Sequence, residues 1–355
     1  MGSATTSPAV TAVRDLLRSA AARGASDVHL EPSEGGIRVV IRQDGVLVPV
    51  ELLPVELGPR IVGRLKALAD LLAYRTDVPQ EGRIPADRSG AGVECRVATF
   101  PTLLGERVAI RLDVPEAGPG RIADLGLPPG VEGSLIRALE RPEGVILLTG
   151  PSGSGKTTTL YAGLRHVVEQ PLGRSVLTIE DPIERRIEGV SQTQIQPAQG
   201  FTYAKALRSL LRQDPDVILV GEIRDAETAQ ITLEAGLTGH LVATTIHAGT
   251  GPQVFTRLLE MGVEPFVLTS AVRGVLAQRL LRRSDGEGGY EGRVLVAEWL
   301  PMGTHLRRAI LDRSDTDAVA DAARTDGGQG LQDAAARLVE SGQTTAEEVQ
   351  RVLGS

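Results

Sequence analysis

Eight residues constrain this chain more than any others: Gly-Pro-Ser-Gly-Ser-Gly-Lys-Thr, Gly150 to Thr157, directly behind the apolar run Val145-Ile146-Leu147-Leu148. Four positions separate Gly150 from Gly155, and Lys156 and Thr157 follow, which is the spacing of a phosphate-cradling loop. Gly150, Gly153 and Gly155 let the backbone turn tightly enough for its N–H groups to converge on phosphate oxygens. A helix beginning near Lys156 adds its positive end at the same point. Lys156 is placed to reach the outer phosphates, and the Thr157 hydroxyl to take one Mg²⁺ position. The candidate nucleotide contacts are therefore Gly150, Pro151, Ser152, Gly153, Ser154, Gly155, Lys156, Thr157 and Thr158. A glycine-rich surface loop would share the composition, but not the full pattern behind a buried strand. The segment reads as a nucleoside triphosphate site.

Composition narrows the class around that site. At 355 residues, 41% of them apolar, the chain has room for about two or three domains that each bury a core. No apolar run approaches the roughly 20 residues needed to span a bilayer, so any membrane role works through a partner. The N-terminus shows neither the basic flank nor the apolar run of a signal peptide, and Met1-Gly2 with Thr6 is read as a chance or vector-derived match to a myristoylation pattern. Cys95 is the only cysteine, which excludes an internal disulfide and a thiolate metal cluster and points to the cytoplasm. A formal charge of −7 and 3% aromatic residues argue against a protein that coats nucleic acid.

Two regions differ in rhythm. Residues 1–112 read as a small α+β domain. A helical stretch over Val10–Arg23 precedes Ser26-Asp27-Val28-His29-Leu30, and alternation from Ile37 to Val50 around Asp44-Gly45 signals a hairpin. Another helix is expected over 55–73, then strands at Val93–Val97 and Val108–Leu112. Helix breakers from Pro115 to Gly120 mark a linker, set at 113–130. Over 131–300, apolar runs recur at Val145–Thr149, Val176–Ile179, Val217–Val220 and Leu241–Thr245 with helical patterns between them, as in a buried parallel sheet. Residues 254–283 are read as helical, with Val267, Ala271, Val275 and Leu276 near one face, and Val294–Trp299 as a last strand. Residues 301–355 read as a charged helical tail.

Three polar clusters lie where such a sheet places its ligands: Thr178-Ile179-Glu180-Asp181-Pro182, then Asp214 to Asp225, then Thr238 to His247. An apolar strand that ends in a carboxylate is what a phosphate-loop enzyme needs to hold Mg²⁺ and polarise a water. Here that strand ends in Gly221-Glu222 rather than in Asp.

The order GPSGSGKTTTL, TIEDPIE, LRSLLRQDPDVILVGEIRDAETA and TGHLVATTIHA resembles the phosphate loop, Asp box, Walker B segment and His box of secretion ATPases. That family powers type II secretion and the assembly or retraction of type IV pili. SDVHLEP, QEGRIP and ECRVATFPTLLGERVAIRL resemble its N-terminal domain, so the likeness runs from about residue 25 to the C-terminus. It implies a RecA-like P-loop NTPase domain with a parallel-rich sheet, preceded by a PAS-like α+β domain and followed by helices. It also implies a cytoplasmic homohexamer, peripheral at the inner face of the bacterial cytoplasmic membrane. Such a ring would use ATP and Mg²⁺ against a polytopic platform protein, with nucleic acid not expected as a partner.

Residue roles follow by position. Glu222 is the expected general base, with Glu180 and Asp181 as alternatives or as carboxylates that hold Mg²⁺ through water. The expected Mg²⁺ positions are Thr157, Asp181 and Glu222. His247 is expected to sense the γ-phosphate. His240 is left undecided, His29 is read as tying down its strand and His166 as surface. Arginines of the N-terminal domain are implied to close over the nucleotide, Arg83 and Arg96 ahead of Arg107 and Arg111, with Arg208 and Arg212 as a second source. Many assembly-type relatives carry a tetracysteine zinc module after Arg283, but here Ser284-Asp285-Gly286-Glu287-Gly288-Gly289 offers no cysteine, so no such zinc site is expected. Secretion-type relatives also carry a further N-terminal docking domain, so this chain is expected to dock differently or to be a shortened form. The tail from Leu338 to Val349 favours extension or secretion over retraction. The alternatives are a retraction ATPase, a conjugation-type DNA-transfer ATPase, or a scaffold that binds ATP without turning it over.

Overall fold

Alternating apolar and polar positions shape the first part of the chain into an antiparallel sheet. A computed structural model describes residues 7–113 and 120–354 and divides into two units between 117 and 118. The first unit runs α1 (Pro8–Ala22), β1 (Asp27–Ser33), β2 (Gly36–Gln43), β3 (Val46–Leu53), α2 (Gly58–Leu68), β4 (Gln80–Ile84), α3 (Ala86–Ser89), β5 (Glu94–Thr102) and β6 (Gly105–Asp113). Its strands lie in the order β3-β2-β1-β6-β5-β4, every pair antiparallel. The expected hairpin turns at Asp44 and Gly45, both at positive φ (49° and 82°), which matches the twist of the flanking strands. One sheet face buries Val28, Leu30, Val97 and Ile110 with Leu17 of α1 and Ile61 and Leu65 of α2.

The opposite face is charged. Arg83 of β4 stands directly across from Arg96 of β5, Arg96 from Arg111 of β6, and Arg111 from Asp27 of β1. Three guanidiniums therefore lie in one row, where like charges oppose sheet pairing. Arg83 is drawn towards Glu94 (3.5 Å) and Arg96 towards Asp113 (3.4 Å). Arg111 makes no ion pair among the described residues.

The second unit is a parallel sheet with helices on both faces. It runs α4 (Pro129–Leu139), β7 (Gly144–Thr149), α5 (Lys156–Glu169), β8 (Val176–Glu180), β9 (Ser191–Gln194), α6 (Tyr203–Leu210), β10 (Val217–Ile223), α7 (Ala226–Leu237) and β11 (Leu241–Ile246). Then follow α8 (Gly251–Glu260), α9 (Pro265–Ala271), β12 (Val272–Ser284), β13 (Tyr290–Pro301), α10 (Thr304–Leu311), α11 (Thr316–Thr325), α12 (Leu331–Glu340) and α13 (Ala346–Leu353). The strand order is β13-β12-β7-β11-β10-β8-β9, all parallel except the β12–β13 hairpin. Wholly buried β7 and β11 at its centre explain the unbroken apolar runs in the sequence.

Two expectations need correction. The linker set at 113–130 is too long, because Ile122, Leu125 and Leu127 are buried in the second unit's core and α4 begins at Pro129. Residues 114–119, the heart of that linker, lie outside the described residues. The helix expected over 254–283 ends at Ala271, and Val272–Ser284 is a strand between β7 and β13. Val267 and Ala271 do lie on α9, but a strand buried on both faces loses its alternation, so Val275 and Leu276 mimicked a continuation of that helical stripe.

The C-terminal helix is pinned to that hairpin by a buried carboxylate. Glu348 accepts from the Arg282 backbone N–H (2.9 Å) and side chain (2.9 and 2.7 Å), and from Arg351 (2.7 and 2.6 Å). Burial alone would raise the Glu348 carboxyl, but hydrogen bonds from Arg351 and Arg282 hold it at about 2, below its ordinary 4.5. A depressed acid stabilises the fold above its unfolded value and loses that contribution as the pH falls through its folded one. We expect Glu348→Gln to cost about 3 kcal/mol at neutral pH. Urea denaturation between about pH 6 and pH 3 should show a flatter acid limb for the variant than for the parent.

Candidate nucleotide site

The phosphate loop bridges β7 and α5 where the sequence pattern requires it. Gly150 has φ +150°, and a Cβ there would lie 2.5 Å from the Gln278 carbonyl oxygen and 2.5 Å from the Ser154 hydroxyl. Gly155 caps α5 in the left-handed region at φ +87°, which aims the first helical N–H groups into the loop. Pro151, Ser152 and Gly153 are exposed at the tip, Ser154 is buried, and Thr157 and Thr158 are half-buried on the first turn of α5. Lys156 folds back, its Nζ donating to the carbonyls of Gly150 and Pro151, both at 2.8 Å. Burial and the nearby charge of Arg279 pull the Lys156 ammonium down, while Glu222 pulls it up. The lysine and Glu222 thus share one neighbourhood.

Glu222 sits where β10 breaks register beside β11, between Val220 and Ile223. One carboxylate oxygen is ion-paired with Arg224 and the other lies 3.4 Å from His247 Nε2. Arg224 also approaches Asp181 at 3.6 Å, so two of the expected carboxylates share one guanidinium. The half-exposed His247 ring follows the last residue of β11. Thr149 at the end of β7 is tied to Ala248, donating to its carbonyl and accepting from its N–H, both at 3.1 Å. Thr245 donates to the Gly221 carbonyl at 2.8 Å, which links the ends of β11 and β10.

Glu180 is engaged differently. It is 4% exposed and accepts from Tyr161 of α5, from Thr178 (2.5 Å) and from Gln192 of β9 (3.0 Å). Burial and Glu180 push the Tyr161 hydroxyl well above its ordinary range, which keeps it a donor. This arrangement suits a brace between α5, β8 and β9 better than a proton acceptor.

Beneath the loop lies β12. Gln278 Nε2 donates to the Ser154 carbonyl at 2.7 Å. The buried Arg279 guanidinium donates to the Gln278 carbonyl (2.9 Å) and to the Gly249 carbonyl. Glu298, paired across from Ala277 on β13, is 7% exposed, and burial pushes its carboxyl up to about 7. Backbone N–H groups of Leu331 and Gly251 and the charge of Arg279 resist that rise.

His240 reaches the Ala235 carbonyl (3.1 Å) at the C-terminus of α7, and His166 faces Gln170 (3.4 Å) and Glu140 (3.8 Å). His29 does not tie its strand by hydrogen bonds, because both ring nitrogens are enclosed without a partner among the described residues. Arg107 pairs with Glu31 at 3.0 Å and Arg208 with Glu227 at 2.6 Å, while Arg212 donates to the Arg208 carbonyl at 2.9 Å.

Comparison with known proteins decides the lineage. Residues 3–351 match the family model described as Type II/IV secretion system protein. The chain belongs to that family. It is 41% identical to the type II secretion system protein HxcR of Pseudomonas aeruginosa, over 97% of this chain and 77% of HxcR. In structure it is similar to the Legionella pneumophila ATPase DotB, with a TM-score of 0.75 and 25% identity over 99% of this chain and 97% of DotB. It is also similar to the pilus retraction motor PilT solved with bound ADP, with a TM-score of 0.64 and 28% identity over 96% of each chain.

Within this family member, sequence reasoning missed Tyr161, Gln192, Arg224, Gln278 and Arg279. The signal for the last two was the Gly-rich break at 284–289 between two apolar runs, which marks a hairpin. An acid raised by the fold stabilises it fully below its unfolded pKa, and that contribution is lost as the pH rises through the folded value. For Glu298 the window runs from 4.5 to about 7. Glu298→Gln should abolish this fall in stability, as read by denaturant titration on either side of the window.

Proposed function

We propose that this family member is a Mg²⁺-dependent ATPase that drives assembly of a type II secretion pseudopilus or a type IV pilus. It works as a homohexameric ring on a polytopic platform protein, peripheral at the inner face of the cytoplasmic membrane. Family membership and the secretion-system name of HxcR support the cellular role. Among the described residues no helix is long and apolar enough to cross a membrane. The observation that carries the reaction is Glu222, held at a strand end within electrostatic reach of Lys156.

In this reading Lys156 leaves the Gly150 and Pro151 carbonyls for the outer phosphates. A water attacks the γ-phosphorus as the bond to the bridging oxygen breaks, and Glu222, released from Arg224, accepts the water proton. His247, already against Glu222, registers whether the γ-phosphate is present. The Thr157 hydroxyl and the carboxylates of Asp181 and Glu222 are the hard oxygen donors that Mg²⁺ takes. When bound, the ion neutralises phosphate charge. Arg83 and Arg96, with Arg111 in the same row, supply guanidiniums for charge on the transferred group in the assembled motor. The likeness to PilT keeps a retraction motor as the second reading, with the same chemistry and the opposite direction of work.

Lys156→Ala should weaken nucleotide binding at least about tenfold, and Glu222→Gln should bind ATP while turnover falls about 100-fold or more. Fluorescent-nucleotide titration and phosphate release read both outcomes. Normal turnover by Glu222→Gln overturns the base assignment, and Glu180→Gln then becomes the variant to compare. Arg96→Ala should lower kcat more than it raises KM, and a change in KM alone would remove it from the charge-stabilising set.

A further inference from the structure

Two loops surround Glu222, one carrying Lys156 after β7 and the other carrying His247 after β11. On the β11 side they are joined by Thr149 and Ala248. A second link comes from the opposite neighbour of β7. β12 pairs with β7 as far as Ala277 opposite Thr149, so Gln278 and Arg279 continue just beyond the end of β7. From there Gln278 holds the phosphate loop at Ser154, and Arg279 crosses to the Gly249 carbonyl, two residues after His247.

We propose that Gln278 and Arg279 are positioning residues that couple occupancy of the phosphate loop to the His247 segment without touching the nucleotide. The inference rests on the phosphate-loop reading above and deepens it. Burying a guanidinium is costly unless its donors are met, and Arg279 meets the Gln278 carbonyl on β12 and the Gly249 carbonyl in the His247 segment. A movement of Gly249 is therefore opposed by a guanidinium that is anchored on the carbonyl of Gln278, the residue whose side chain holds the loop. The Gln278 contact is also incomplete. Gln278 Oε1 and Ser154 Oγ are both buried with no hydrogen-bond partner among the described residues. The hydroxyl is a donor and the amide oxygen an acceptor, so a shift of the loop that brought them together would satisfy both. Such a contact has two arrangements, which is what a coupling element needs. A γ-phosphate that draws Lys156 off the Gly150 carbonyl displaces the loop at this contact, and Arg279 passes the displacement to the segment carrying His247.

The test is discrimination between tri- and diphosphate, measured on the full chain with Mg²⁺ by displacement of a fluorescent ADP with ADP or a non-hydrolysable ATP analogue. For Arg279→Met we expect the analogue to bind about tenfold more weakly, ADP to change by less than about threefold, and kcat to fall about 10- to 100-fold. Arg279→Lys keeps the charge and should restore part of the preference. A merely structural role predicts equal losses for both nucleotides and no rescue by lysine, and that result, or an unchanged ratio with unchanged kcat, overturns the proposal. If Arg279→Met does not fold, Gln278→Ala carries the test: it should lose the same preference, and a parental ratio overturns the coupling. Lys156→Ala separates the two levels. Retained binding of both nucleotides in that variant refutes the phosphate-loop reading itself, whereas weakened binding with parental discrimination in the Arg279 variants refutes only the coupling.

Discussion

Parallel pairing of β7 with β11 and of β11 with β10 is the constraint on which the site depends. Strands that run the same way end at the same edge, and each end here is polar. β7 delivers the phosphate loop, β11 delivers His247, and β10 delivers Glu222. The hydroxyls of Thr149 and Thr245 join these ends across the sheet. Their short side chains bond to neighbouring backbone, so the loops leave the sheet in a set relation before any ligand arrives. Flanking helices bury the apolar faces, and that burial holds the sheet together.

Charge balance shapes what is built on that edge. Each of the proposed catalytic groups is engaged by protein partners: Lys156 by carbonyls, Glu222 by Arg224 and His247, and Asp181 by Arg224. These contacts satisfy groups that would otherwise face one another uncompensated. In the proposed function a polyanion competes for these cations and frees the carboxylates for water or metal. Glu180 lies outside this exchange because its acceptor capacity is spent on Tyr161, Thr178 and Gln192. In the first unit the row Arg83–Arg96–Arg111 keeps an excess of positive charge that pairing within the sheet meets only in part.

Much of this was legible in the chain itself, for local reasons. The phosphate loop depends on glycine geometry and one lysine, all contiguous. The central strands depend on short apolar runs, and the Asp44-Gly45 turn on two residues that tolerate positive φ. Glu222 and His247 stood out as candidates because one lies at the end of its apolar strand and the other directly after its own. By contrast, β12 was hidden because burial on both faces erases the alternation that marks a strand. Ile122, Leu125 and Leu127 were assigned to a linker because neighbouring Gly and Pro masked their burial.

What the tertiary structure decided was partnership. Gln278 and Ser154 are 124 positions apart, as Arg282 and Glu348 are 66 apart, and nothing local ties either pair. The different surroundings of Glu180 and Glu222 belong to the same class. Both are strand-end carboxylates in sequence, yet one is buried against a tyrosine of α5 and the other faces a histidine at the open edge. A sequence specifies which groups stand at the ends of its strands, because that depends on neighbours along the chain. Which of them are spent on one another depends on the order in which the strands pair, and only the folded sheet sets that order.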